Sequence, residues 1–226
     1  MPAAVIFDFD GVLVDSEPLH CRAFLEVLAP FAITCNWDDY LARYMGYDDR
    51  DAFRAFFATR GETLAPQRLK ELIRRKAEVF RSIVSRGVNP YPGVLELIGL
   101  LAPRLPIGLC SGALRGDIEP ILDQLNLTDA FRIIVSADDV AASKPDPASY
   151  RLALQSLAET VPSRRLPAAA TLAIEDTPAG IASARQAGLT VLAVANSYPS
   201  ARLEREGCAV VETLQGMTLE FLQRLC

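Results

Sequence analysis

Residues 4–15 read AVIFDFDGVLVD, and the interpretation of the whole chain starts from this stretch. Its apolar first half predicts a buried strand over residues 4–9. Asp8 and Asp10 flank Phe9, so on a regular strand their side chains point to the same face. Gly11 follows them and allows the backbone to turn out of the sheet. The stretch therefore indicates a strand that presents two carboxylates at its carboxyl end.

Five further apolar runs, rich in Val, Ile and Leu, recur along the chain. They cover residues 107–110, 132–136, 171–175, 190–195 and 208–212. Segments with helical periodicity lie between most of these runs, at 93–102, 115–125, 147–159 and 178–187. Strands that alternate with helices predict a parallel sheet with helices on both faces. The predicted fold class is therefore α/β, with a Rossmann-like parallel sheet.

The alternation is interrupted after the first strand. Residues 16–91 contain three or four segments of helical periodicity and no convincing strand, and the helical segments are 17–28, 37–45, 49–60 and 66–86. Ser16 and Asn36 stand where helix N-caps are expected. We expect a small helical domain, residues 16–91, inserted into a core domain formed by residues 1–15 and 92–226.

Composition excludes several classes of protein. Half of the 226 residues are hydrophobic and 23% are charged, which excludes a disordered chain. The net charge is −5 and Lys and Arg are not clustered, so we expect no nucleic-acid partner. No uncharged apolar segment approaches the ~18 residues needed to span a membrane, and the N-terminus lacks a secretion signal. A cytoplasmic protein without a membrane partner is the expectation.

Cysteine and histidine usage narrows the possible chemistry. The five cysteines are scattered and include no C-x-x-C pair, so neither a disulfide framework nor a zinc site is indicated. A single histidine, His20, leaves little scope for catalysis by histidine. If the chain is an enzyme, carboxylates are expected to perform the acid–base chemistry.

Polar residues follow four of the predicted strands. In an open parallel sheet, ligands bind beyond the carboxyl ends of the strands. The residues found there are Asp8, Asp10, Ser111, Lys144, Glu175 and Asp176. Carboxylates crowded at one edge repel each other unless a cation joins them, and an all-oxygen donor set favours Mg²⁺. The same set suits phosphoryl transfer, in which positioning and charge neutralisation dominate catalysis.

The order of four motifs resembles the haloacid dehalogenase-like superfamily. These motifs are D-x-D-G-V at 8–12, Ser-Gly at 111–112, S-K-P-D-P at 143–147 and E-D-T-x-x-G at 175–180. The chain looks most similar to the branch with a helical cap after the first motif. That branch includes phosphoglycolate phosphatase-like enzymes, sugar-phosphate phosphatases and β-phosphoglucomutase. The resemblance spans the chain, and the insert 16–91 lies where the cap belongs.

The resemblance assigns catalytic roles to residues of this sequence. It implies that Asp8 is the nucleophile and a Mg²⁺ ligand, and that Asp10 is the general acid and base and a ligand through its backbone carbonyl. Ser111, Gly112 and Lys144 would bind the phosphoryl group. The dehalogenases lack an aspartate at the position of Asp10, so its presence argues against carbon–halogen chemistry.

The resemblance also implies that Glu175 and Asp176 hold Mg²⁺, with Asp176 the stronger candidate for direct contact. His20 and Lys76 fall where related enzymes contact substrate from the cap. By composition alone, a helix-surface histidine describes His20 equally well. A solvent-exposed helix charge describes Lys76 better than a substrate contact does.

One position departs from the β-phosphoglucomutase pattern. The arginine expected shortly after Gly46 is displaced, because Asp49 occupies its place and Arg50 follows one residue late. This displacement weakens the interpretation as a phosphomutase.

The sequence therefore predicts a Mg²⁺-dependent phosphatase that acts through an aspartyl-phosphate on Asp8. Its partner would be a small phosphorylated metabolite, either a sugar phosphate or a phosphoglycolate-like ester. Two alternatives stay open: a β-phosphoglucomutase-like phosphomutase and a non-catalytic protein that binds a phosphorylated ligand. We expect a monomer, with an oligomer also compatible with the sequence.

Overall fold

The computed structural model describes residues 1–45 and 47–226. Six strands form one parallel sheet in the order β3-β2-β1-β4-β5-β6. The strands are β1 Ala4–Phe7, β2 Ile107–Cys110, β3 Ile134–Val135, β4 Thr171–Glu175, β5 Thr190–Val194 and β6 Ala209–Val211. The α/β prediction is confirmed, and all six strands lie within their predicted ranges.

Ten α-helices accompany the sheet in the described part of the chain. Those between β1 and β2 are α1 Glu17–Leu28, α2 Trp37–Arg43, α3 Asp49–Ala58, α4 Pro66–Val84 and α5 Val94–Leu101. Those after β2 are α6 Arg115–Gln124, α7 Ala148–Thr160, α8 Pro178–Gln186, α9 Ser200–Leu203 and α10 Leu219–Gln223. None of the helices within residues 1–45 and 47–226 combines the length and the apolar character that crossing a membrane requires.

The central position of β1 explains why its sequence is uniformly apolar. Strands β2 and β4 flank it, and all four of its residues are fully buried. Val5 and Phe7 pack into the hydrophobic cluster on one face of the sheet, and Ala4 and Ile6 pack into the cluster on the other. Burial on both faces gives a continuous apolar run instead of alternation.

Helices α1 to α4 have a hydrophobic cluster of their own. It is built largely from aromatic side chains, including Phe24, Tyr40, Phe53, Phe56 and Phe57. Helix α4 packs against α1 and α3, and it also contacts α6. The division into residues 16–91 and residues 1–15 with 92–226 stays a prediction, and the separate cluster is consistent with it.

The two predicted N-caps behave differently. Asn36 Oδ1 accepts a hydrogen bond from the backbone N–H of Asp39 at 2.8 Å, so it caps α2 as expected. Ser16 precedes α1, but its side chain makes no capping bond. Its hydroxyl instead donates to the carboxylate of Asp10. Ser16, which the sequence suggests as a helix N-cap, thus contacts the candidate catalytic residue Asp10.

Candidate active site

Asp8 lies at the centre of the polar edge of the sheet because β1 is a central strand. Its backbone N–H donates to the Ile174 carbonyl at 2.9 Å, directly beside Glu175 and Asp176 at the end of β4. On the other side, β2 ends at Cys110. The fold therefore brings the first acidic motif against the last one, and both lie next to the Ser-Gly turn after β2.

The side chain of Lys144 contacts the carboxyl ends of three strands, β1, β2 and β4. Its Nζ lies 2.7 Å from Asp8 Oδ1 and 2.7 Å from Glu175 Oε1, and it donates to the Cys110 carbonyl at 3.1 Å. Burial alone would lower the pKa of this lysine, but the two carboxylates raise it well above its ordinary value. Lys144 is therefore a fixed ammonium charge beside Asp8.

Three carboxyl groups form a cluster suited to a cation. Oxygens of Asp8, Glu175 and Asp176 all lie within 4.8 Å of one another. Burial is the main cause that raises the pKa of Asp8 to about 8 and that of Asp176 well above its ordinary range, and the neighbouring negative charges add to it. Asp8 and Asp176 therefore resist ionising together without a cation, and a divalent ion would take the place of their protons.

The hydrogen bonds distinguish the carboxylates within this cluster. Glu175 Oε1 accepts from Lys144 and from the Tyr150 hydroxyl at 2.8 Å, and its Oε2 accepts from the Asp176 N–H and the Thr177 hydroxyl. In contrast, Asp176 Oδ1 is buried and has no partner among the described residues. The unpartnered oxygen and the all-oxygen donor set fit Mg²⁺.

Two glycines allow the carboxylates to approach this closely. Gly11 has a φ of +79°, and a Cβ there would lie 1.9 Å from Asp176 Oδ2. A Cβ on Gly180 would lie 2.0 Å from the Glu175 carboxylate oxygens. Both positions therefore require the absence of a side chain, for the turn after β1 and for the close approach of α8.

Asp10 has a different environment from Asp8. Ser16 donates to its carboxylate, and His20 Nε2 lies 3.3 Å from its Oδ1. Burial by itself would raise the pKa of Asp10, but these contacts outweigh it and hold the pKa below its ordinary value. The pKa values of two carboxyls only two residues apart are thus shifted in opposite directions, upward by burial at Asp8 and downward by the contacts with His20 and Ser16 at Asp10.

The Ser-Gly turn borders two adjoining cavities. Ser111 lines the smaller one, Gly112 and Lys144 line both, and the larger one also contains Asp8 and Asp10. Ser111 Oγ accepts a hydrogen bond from the Ala113 N–H at 2.9 Å, which fixes the hydroxyl in the turn. Gly112 and Lys144 therefore line the cavity that contains Asp8, whereas Ser111 lines the adjoining one.

His20 and Lys76 are both buried, so the interpretations as a surface histidine and a solvent-exposed lysine are wrong. The ammonium of Lys76 lies 2.8 Å from His20 Nδ1, 2.9 Å from Asp49 Oδ1 and 3.1 Å from Asp117 Oδ2. His20 lines the larger cavity, whereas Lys76 lies behind it. The direct substrate contacts predicted for both stay predictions.

Three residues of this network were not among the sequence candidates. Ser16 contacts Asp10, Tyr150 contacts Glu175, and Asp117 pairs with Lys76. Asp117 lies in the first turn of α6 and is almost fully buried, although acidic residues there usually face solvent. No local pattern distinguishes these residues, because their partners lie on distant elements.

Replacing Lys76 by methionine should destabilise the protein by about 3 kcal/mol, since Asp49 and Asp117 would lose the ammonium between them. Methionine would still pack against Phe24 and Phe80, whose rings lie beneath the Lys76 ammonium. Urea unfolding measures the loss. Lys70→Met, on the exposed side of the same helix, is the matched control. A loss below about 1 kcal/mol would contradict the pairing.

Comparison with known proteins gives consistent matches. The family model described as haloacid dehalogenase-like hydrolase matches residues 5–194. Protein CbbY of Rhodobacter capsulatus is 34% identical over 204 residues, 86% of each chain. A phosphoglycolate phosphatase of Rhodospirillum rubrum is 30% identical over 203 residues, 88% of this chain and 81% of that protein. A crystal structure of mutant CbbY from Rhodobacter sphaeroides with xylulose 1,5-bisphosphate superposes with a TM-score of 0.84 at 25% identity, covering 98% of this chain and 99% of that one.

Proposed function

Because the chain belongs to the haloacid dehalogenase-like hydrolase family, we propose that it is a Mg²⁺-dependent phosphatase that hydrolyses a small phosphomonoester. The observation that carries the proposal is the contact of Lys144 with both Asp8 and Glu175 at the edge of the larger cavity. A carboxylate held beside a fixed ammonium can attack phosphorus while the ammonium neutralises the phosphoryl oxygens. The relatives known as phosphatases support the same activity.

Asp8 is the nucleophile in this proposal. One of its oxygens attacks phosphorus, the ester P–O bond breaks, and an aspartyl-phosphate forms on Asp8. Lys144 and the turn at Ser111 and Gly112 hold the phosphoryl oxygens during the transfer. Water then attacks the phosphorus of the aspartyl-phosphate, which releases inorganic phosphate and restores the Asp8 carboxylate.

Asp10 handles the proton in both halves of the reaction. It gives a proton to the leaving alcohol in the first half and takes one from the attacking water in the second. The second role needs the carboxylate, which the contacts from Ser16 and His20 favour. The cap helices would exclude bulk water from the aspartyl-phosphate, and α4 joins them to α6 of the core.

Asp8 and Asp176 would hold Mg²⁺ directly, with the Asp10 backbone carbonyl as a further ligand. The unpartnered oxygen of Asp176 supports this assignment, and Glu175 orients the cluster through its bonds to Lys144 and Tyr150. When bound, the ion neutralises the carboxylates and the phosphoryl oxygens, so that the two can approach each other.

The proposal is tested by phosphate release from p-nitrophenyl phosphate, with Mg²⁺ and with EDTA. We expect release that requires Mg²⁺, because the cluster around Asp8 needs a cation to ionise fully. A parallel assay with β-glucose 1-phosphate separates hydrolysis from isomerisation. Isomerisation without phosphate release would identify a phosphomutase, and no reaction in either assay would favour the non-catalytic binding protein.

A further inference from the structure

We propose that the substrate is a phosphomonoester whose leaving group presents hydrogen-bond donors and carries no second anionic group, and that Asp49 enforces this selection. The inference rests on the proposed phosphatase activity and concerns the part of the cavity that faces the cap. The phosphoryl group itself would lie against Asp8 and Lys144 at the core side.

The cap side of the larger cavity is acidic. Glu17, Asp48 and Asp49 line it together with aromatic side chains. Among the described lining residues there is no arginine, and the sole lysine is Lys144, which already contacts Asp8 and Glu175. A second phosphate or carboxylate on the substrate would therefore meet carboxylates on this side, and His20, which also lines the cavity, already contacts Asp10.

Asp49 presents a hydrogen-bond acceptor on the cap side of the larger cavity. Its Oδ1 pairs with Lys76 at 2.9 Å, whereas its Oδ2 is buried without a hydrogen-bond partner in the described part of the chain. The side chain is 10% exposed and lines the cavity. A buried carboxylate oxygen without a donor is costly, so a ligand hydroxyl or ammonium is the complement it lacks.

Arg50 compensates the charge of Asp48 and makes no ion pair with Asp49 among the described residues. Its guanidinium donates to Asp48 Oδ2 from both Nε and an Nη, at 2.8 and 2.6 Å. Arg50 lines the smaller cavity, whereas Asp49 lines the larger one. Asp49, at the position where the sequence comparison led us to expect an arginine, thus places a carboxylate on the wall of the larger cavity.

Lys76 does not fully neutralise the carboxylate of Asp49. Lys76 is shared between Asp49 and Asp117, so its single positive charge is divided between two carboxyl groups. Lys76 is fully buried and cannot reach into the cavity without breaking both ion pairs. The cap side of the larger cavity therefore disfavours a second anionic group on the substrate.

Substrate comparison tests the proposal. We expect kcat/KM for the better of glycerol 3-phosphate and fructose 1-phosphate, both neutral polyols apart from the ester, to exceed kcat/KM for phosphoglycolate and for xylulose 1,5-bisphosphate by about 10-fold or more. A preference for either of the latter two would overturn the proposal. Hydrolysis of p-nitrophenyl phosphate is measured alongside, since its absence would refute the phosphatase activity instead.

Asp49→Asn tests the negative charge of Asp49, because asparagine keeps the shape of the side chain and an acceptor for Lys76. We expect it to raise KM for the polyol phosphate and to narrow the preference over phosphoglycolate by about 5-fold or more. Asp38→Asn, at an exposed position on α2, changes the net charge equally and is the control. A selectivity shift no larger than that of the control would overturn the assignment to Asp49.

Discussion

Replacing Asp8 by asparagine should lower kcat by about 10³-fold or more, because the amide cannot attack phosphorus and no other carboxylate takes the same position. The amide oxygen can still accept the hydrogen bond from Lys144 that Asp8 Oδ1 accepts now. The loss should therefore fall on the chemical step, and the variant should still bind phosphate analogues. Its stability should not decrease without Mg²⁺, since a neutral amide avoids a charge beside Asp176.

Steady-state hydrolysis of p-nitrophenyl phosphate measures the loss for Asp8→Asn. Urea unfolding in EDTA checks the fold, and binding of a phosphate analogue such as vanadate checks the site. Asp129→Asn, an exposed aspartate outside the site, is the matched control. Turnover within about 10-fold of the unmodified enzyme would refute Asp8 as the nucleophile.

Lys144→Met should affect both stability and activity. Without the ammonium, the buried carboxylates of Asp8 and Glu175 lose their partner, which should cost about 3–5 kcal/mol. The phosphoryl group also loses a positive charge, so kcat/KM should fall by about 10²-fold or more. Both expected effects follow from the same two contacts of Lys144.

The two effects of Lys144→Met are separated by adding metal. Urea unfolding in EDTA should report the full loss of stability, and Mg²⁺ should recover part of it by neutralising Asp8 and Asp176. Activity should stay low at saturating Mg²⁺, because the ion does not restore the ammonium contact. Full recovery of activity with Mg²⁺ would show that Lys144 has no role in holding the phosphoryl group.

The element order was predictable because the signals are local. The strand over 4–9 is apolar without alternation, and burial of β1 on both faces produces that pattern. The convergence of Asp8, Ser111, Lys144 and Glu175 followed from the rule that ligands bind beyond the carboxyl ends of parallel strands. The order of the strands explains why Asp8 is the central member, and this order was visible only in the fold.

Side-chain partners were not predictable from local signals. Lys76 has the sequence context of a surface helix residue, yet α4 faces both α1 and α6 and encloses its ammonium. Ser16 has the position of an N-cap, yet its hydroxyl points to Asp10. Both outcomes depend on which elements pack together, and single-residue propensities carry no such information.

By itself, the sequence determined the α/β class, the interruption by helices after the first strand and the set of carboxylates, because periodicity and motif spacing are local properties. Tertiary structure decided the pairing of charges, since Lys144 and Asp8 are separated by 136 residues and Lys76 and Asp117 by 41. It also placed Asp49 on the wall of the larger cavity, with an Oδ2 that has no hydrogen-bond donor among the described residues. Charge pairing depends on distance in space and on burial, and only the packed fold sets both.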